Sequence, residues 1–309
     1  MKYLKNQCIT GIIFLIVVAL INLSCTKTTE EENEIIEPNM LNCIDNHYPD
    51  CTIPNDIPLL FCSGVVSTQY ADFGISFLPD LSEIYFTRRG ASSNSNLGII
   101  MQMKKVNGIW TEPQVAPFSG TYNEMEPLIT PDGSKLIFGS NRPLEEGGSP
   151  GTFLQWVVER TEYGWSEPRI LGDPFINRFV MYPTVANNGN LYFTGEDGIY
   201  VSEMQDGNYQ EPVKLGDEIN ALTRAAHPCI APDESYLIFD AQPRGNLKSD
   251  LFISLRKQDG SWSTAVKLNE NINSAESQAI AMISPDKKYM FFVRNGEIYW
   301  VSTALIPGI

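Results

Sequence analysis

The stretch Pro131-Asp132-Gly133-Ser134-Lys135-Leu136-Ile137-Phe138 decides the fold. Proline presets the first turn dihedral, aspartate bonds the backbone two residues on, and glycine accepts a positive φ, so Pro-Asp-Gly-Ser reads as a turn. Pro127-Leu128-Ile129 before it and Leu136-Ile137-Phe138 after it are short apolar runs. Two such runs about a tight turn predict a β-hairpin. The turn recurs as Pro79-Asp80, Pro232-Asp233 and Pro285-Asp286, and Phe86, Phe138, Phe239 and Phe292 each lie seven residues after the proline. A degraded copy, Ala186-Asn187-Asn188-Gly189, leads to Phe193 at the same offset from Ala186.

A second pattern follows each hairpin. β-rich runs such as Ile99-Ile100-Met101, Leu251-Phe252-Ile253 and Ile298-Tyr299-Trp300-Val301 come first. A glycine turn and an aromatic follow at Trp110, Trp165, Tyr209 and Trp262, then Glu112-Pro113, Glu167-Pro168, Glu211-Pro212 and the diverged Thr264-Ala265. Three copies close on Leu and Asn: Leu171 with Asn177, Leu215 with Asn220, Leu268 with Asn273. Each unit therefore carries four short strands, and no helical periodicity of useful length interrupts them. One such sheet cannot bury both faces, so stacked units must share a core. The expectation is an all-β propeller of four-stranded blades, with the recurring aromatics packing blade on blade rather than forming a sugar platform. Five units can be counted, and six blades is the alternative. The last unit lacks an outer strand, and Ile57 to Phe61 resembles that missing piece, so the N-terminal strand should close the last blade and remove the open edges of the ring.

The apolar strand, the 131–138 motif and Arg142 shortly after it resemble the WD40-like β-propeller repeat of the TolB type, found in exported bacterial proteins. The resemblance spans roughly residues 57–303 and implies the fold without implying an activity, since propellers host enzymes, binders and scaffolds alike.

The ends of the chain carry an address. Lys2 and Lys5 precede an uncharged apolar run from Ile9 to Leu23, then Ser24 and Cys25. This reads as a signal peptide over 1–24. Leu23-Ser24-Cys25 resembles a lipobox, which implies lipid on Cys25, although Asn22 stands where Leu is usual. Residues 25–56 read as an acidic, solvated tether with Glu30-Glu31-Glu32, and 57–309 as the propeller. The expected location is a bacterial membrane, facing periplasm or cell surface. Cys43, Cys51, Cys62 and Cys229 remain in an exported chain, and their spacing leaves all pairings open.

Composition excludes several functions. The 309 residues carry 37 Asp+Glu against 22 Lys+Arg, a formal charge of −15, which argues against nucleic acid. His47 and His227 are the two histidines, too few for a multi-histidine metal centre, and no cofactor motif is present. Candidate chemistry gathers where residues enter each inner strand and leave the next, at the mouth of the ring. Recurring arginines, Arg88, Arg142, Arg244 and Arg294, can lock the ring by pairing with acids, or can form an anion-binding fork with the mouth. Arg178, Tyr182, Arg224 and His227 do not recur and are the better ligand candidates, with Arg142 and Arg244 beside them. Expected partners are an envelope protein or a glycan, together with the membrane through Cys25. A competing reading makes Asp72, Glu126 and Glu196 glycosidase carboxylates, and a third makes the protein an envelope scaffold.

Overall fold

In a computed structural model of the protein, residues 48–49, 52–91, 97–145, 147–243, 245 and 247–309 are described. The signal segment, Cys25, Cys43, Cys51 and Arg244 lie outside the described residues.

Five larger antiparallel sheets follow one another in chain order, and a two-stranded sheet, Met204–Gln205 with Asn208–Tyr209, extends the third. Their inner strands are Ala71–Phe77, Glu124–Ile129, Met181–Val185, Thr223–Ile230 and Gln278–Ile283. Each inner strand pairs with the strand after its turn, which pairs with a third, which pairs with a short outer strand. These are the five blades of a β-propeller. The fifth blade takes its outer strand from the other end of the chain: Leu59 stands opposite Trp300 and Leu60 opposite Tyr299. The only α-helix among the described residues is Asp217–Asn220, one turn between the third and fourth blades.

Five core clusters fill the five gaps between neighbouring blades. The recurring phenylalanines are all buried: Phe86, Phe138, Phe193, Phe239 and Phe292 are at most 1% exposed. The outer aromatics also pack across gaps. Trp165 Nε1 of the second blade donates to Tyr85 Oη of the first at 2.7 Å, and Trp262 of the fourth blade meets Tyr192 of the third edge-on. Packing extends upstream of the first strand, where buried Tyr48 donates to Asp286 Oδ1 at 2.7 Å and sits edge-on to Tyr289 and Phe77.

The turn chemistry explains why Pro-Asp repeats. Asp80, Asp132 and Asp233 accept from the backbone N–H and hydroxyl of Ser82, Ser134 and Ser235. The third position of each turn has positive φ: Leu81, Gly133, Gly189, Glu234 and Lys287. The third blade differs by one residue. There Ala186 and Asn190 are bonded, four apart, where Thr130 and Lys135 are bonded, five apart. Asn187, not Ala186, therefore takes the place that proline holds elsewhere.

The Leu and Asn closures of the third and fourth blades are brackets. Asn220 accepts from Ile199 N–H and donates to the Ile199 and Leu215 carbonyls. Asn273 does the same with Leu251 and Leu268. Each fastens the inter-blade linker to the third strand.

Candidate site on the propeller axis

Every inner strand is broken at the same place. The residue there has positive φ, namely Gly74, Glu126, Tyr182, His227 and Ile280, and the strand register shifts beside it. A bulge of this kind re-aims a side chain, and here it turns four of them towards the axis. Gly74 is the fifth, and a Cβ there would lie 3.2 Å from the Glu126 Cα, so the close approach of the first and second blades needs glycine.

Breaking the ladder frees a backbone N–H at the bulge, and in the second to fifth blades a side chain of the preceding blade satisfies it. Glu126 N–H donates to Thr87 Oγ1 at 2.7 Å, His227 N–H to Thr194 Oγ1 at 2.8 Å, and Ile280 N–H to Asp240 Oδ1 at 3.1 Å. Thr87, Thr194 and Asp240 occupy one position, immediately after the recurring Phe. The second blade has Gly139 there. It has no side chain to offer, and the Glu126 carboxylate accepts the Tyr182 N–H instead.

Two of these caps are charged, and they meet His227. Its Nδ1 lies 2.7 Å from Asp240 Oδ1, and the Glu126 charge acts on the same ring. Burial works against an imidazolium here, but the Asp240 and Glu126 carboxylates outweigh it and hold the His227 pKa at about 9. At neutral pH the His227 imidazolium thus stands against Asp240, with the Glu126 carboxyl group beside it. Burial pushes the Glu126 carboxyl upward, opposed by His227, the Tyr182 N–H and Arg89. Tyr182, 3% exposed, is set edge-on to His227 and reaches across the axis to donate to the Ala281 carbonyl of the fifth blade at 3.3 Å.

The sequence-predicted residues therefore divide. Tyr182 and His227 converge on the axis. Arg224, at the start of the same inner strand as His227, is exposed and makes no hydrogen bond or ion pair with described residues. Arg178 stands apart, bonded to the Pro174 carbonyl at 2.6 Å and to Glu211 at 2.5 Å, beside a groove of the third blade with Phe179, Glu196 and Tyr200. Arg142 is structural. It bonds Glu124 at 2.9 Å and the Phe118 carbonyl at 2.8 Å, and its guanidinium lies over Phe138. Arg88 repeats this with Asp72, the Val65 carbonyl and Phe86, and Arg294 with the Ile272 carbonyl and Phe292. Each of the three thus fastens a linker carbonyl, and Arg88 and Arg142 pair with an acid as well. The three proposed carboxylates do not converge: Asp72 is held by Arg88 and Thr68, Glu196 is exposed on the third blade, and Glu126 is axial. Asp240 was missed. Its signal was a charge where the other blades carry Thr87, Gly139, Thr194 or Val293.

Among the described residues, no group of three or more His, Cys, Asp or Glu is arranged to hold a metal ion. Cys62 and Cys229 are buried in separate core clusters, and burial pushes the Cys229 thiol up to about 12, out of nucleophilic range.

No protein-family model matches the sequence, and no curated protein matches it. Solved structures with a similar fold exist. Hydrazine synthase of Kuenenia stuttgartiensis aligns at 16% identity and a TM-score of 0.41, over 74% of this chain and 57% of that one. A puromycin hydrolase aligns at 14% identity and a TM-score of 0.41, over 78% of this chain and 39% of that one. The catalytic domain of a Coprinopsis cinerea GH62 alpha-L-arabinofuranosidase aligns at 11% identity and a TM-score of 0.48, over 80% of this chain and 97% of that one. This chain thus spans little more than half of the first of these and less than half of the second. These likenesses extend to the fold alone.

Proposed function

We propose that this protein is an exported, lipid-anchored recognition module of the cell envelope that takes its ligand, a glycan or a protein, at the axial mouth. Cys25 carries the lipid, residues 25–56 give reach, and the ring presents the site. One observation carries the binding reading: the titratable set Glu126–His227–Asp240 gathered on the axis around a charged imidazole. Capping the bulge N–H groups does not require it, because Thr87 and Thr194 do that work without charge. Burying charge costs several kcal/mol per ion before compensation. A fold that departs from its own repeat at such a cost departs where function is sited. Arg224, exposed, without an ion pair among the described residues and three residues before His227 on its strand, would add a cation for an anionic or polyhydroxylated ligand.

The test is capture of envelope polysaccharides and proteins by the full chain in detergent, compared with His227→Gln and Arg224→Ala. The reading expects both variants to melt cooperatively and to lose capture at least tenfold. Capture equal to that of the parent chain contradicts it. Metabolic labelling with a fatty acid should mark the parent chain and leave Cys25→Ser unmarked.

A further inference from the structure

The axis has a second end. On the face of the Pro-Asp turns, a cavity of about 220 Å³ opens between the ends of all five inner strands. Its walls are Leu128, Ile129, Val185, Ile230, Met282 and Ile283, and its rim carries the rings of Pro79, Pro131, Pro232 and Pro285. Of the five hydroxyl side chains that line it, four are engaged within the protein, and Tyr236 is the fifth. Ser76 accepts from Ile129 N–H, Thr184 donates to the Pro228 carbonyl, and Thr130 and Ser284 donate to Asp132 and Asp286. The wall offers an occupant little hydrogen bonding, so the occupant's body must be apolar. The cavity lies below the Tyr182 level, and the charged cluster of the mouth contributes none of its lining.

Two residues break this apolar ring. Asn187 replaces the fifth proline, and Lys287 is the one charged side chain among the lining residues. Lys287 makes no ion pair within 4 Å among the described residues, although its charge reaches Asp233. Its φ of +59° is shared by Leu81 and Glu234 at the same turn position, so the charge at the cavity edge, and not the backbone, sets Lys287 apart. The turn aspartates Asp80, Asp132, Asp233 and Asp286 are nearby, but they bond their own turns and do not line the cavity.

We propose that this lower chamber is a second ligand site, taking a small molecule with an apolar ring or branched alkyl body and one carboxylate, which Lys287 and the Asn187 amide receive at the rim. The size fits: a cavity of roughly 150 Å³ holds a benzene ring, and about 220 Å³ leaves room for a short acid side arm.

Phenylacetate, benzyl alcohol and benzylamine are suitable probes, titrated by ligand-observed NMR against the full chain in detergent. The expected order is phenylacetate tightest, with a Kd below about 1 mM, then benzyl alcohol, then benzylamine. Lys287→Gly should weaken phenylacetate at least tenfold and leave benzyl alcohol within twofold. That variant relieves a positive φ, so its folding is not in doubt, and its melting curve checks this. A mouth variant, His227→Gln, should bind phenylacetate like the parent chain, which separates this site from the axial one. Absence of phenylacetate binding at 10 mM, tighter binding of benzylamine, or equal phenylacetate binding by Lys287→Gly would each overturn the proposal.

Discussion

Asp240 accepts from the His227 ring at 2.7 Å and from the Ile280 backbone N–H at 3.1 Å, so one carboxylate joins the fourth blade to the fifth and fixes the axial imidazole. The folded His227 pKa, about 9, lies above the ordinary 6.5. Its charge therefore contributes stability in full below pH 6.5, and that contribution is lost as pH rises through about 9. His227→Gln should cost about 1–3 kcal/mol at pH 7 by leaving Asp240 with one donor fewer, and should flatten the loss of stability between pH 7 and 10. Urea melts across that range measure both effects, and an unchanged slope would contradict the assignment. Glu297 runs in the same direction for a different reason. Burial, reinforced by the Asp72 charge, raises its pKa to about 7, and its Oε2 has no partner. A carboxyl raised in this way favours the fold below its unfolded pKa and loses that contribution as pH climbs through 7. Glu297→Gln should raise the melting temperature by about 2 °C at pH 8 and leave it unchanged at pH 5.

At the scale of the hairpin, the motif around Pro131 was legible because each residue meets a local need. Proline sets φ, Asp132 bonds Ser134, and Gly133 adopts a φ of +71°. A Cβ at Gly133 would also lie 3.0 Å from Pro79 Cδ of the first blade. Gly133→Ala should thus cost about 1–2 kcal/mol, and a chemical-denaturation midpoint equal to that of the parent chain would refute this account of the turn. The third hairpin shows where local reading stops. Phe193 kept its rank in the repeat, but the turn lost one residue, so the offset counted from Phe193 selected Ala186 in place of Asn187. The bulges were not legible at all. Nothing in Glu126, Tyr182, His227 or Ile280 as residue types favours positive φ. The break is imposed by packing five strands about one axis, and only Gly74 advertised it. Asp240 was hidden for a related reason. It stands 13 residues from His227, on the far strand of a hairpin, and only alignment of the repeats makes its charge stand out.

The ring as a whole was readable from repetition, since blades that recur must stack, and the spare strand at 57–61 had one place to go. Closure depends on a small joint. Phe61 is fully buried against Phe291 and Trp300 of the fifth blade, and its N–H donates to the Ile298 carbonyl at 2.9 Å. Phe61→Ala should cost about 3–5 kcal/mol, more than Gly133→Ala, and should broaden thermal unfolding as the first and fifth blades part. The same symmetry explains what sequence did not resolve. An arginine that recurs is consumed by linkers, as Arg88, Arg142 and Arg294 are, whereas a mouth is made of departures from the repeat. The propeller thus presents a titratable end, around His227, and an apolar end on one axis. The claim that the titratable end is a binding mouth is tested most directly by the pH profile of capture. Retention of an envelope polysaccharide or protein fraction by the full chain, measured from pH 7 to 10.5, should fall with a midpoint near 9, in step with the His227 imidazolium. His227→Gln should show no such step and little retention at any pH. A flat profile, with retention by His227→Gln equal to that of the parent chain, would contradict the account.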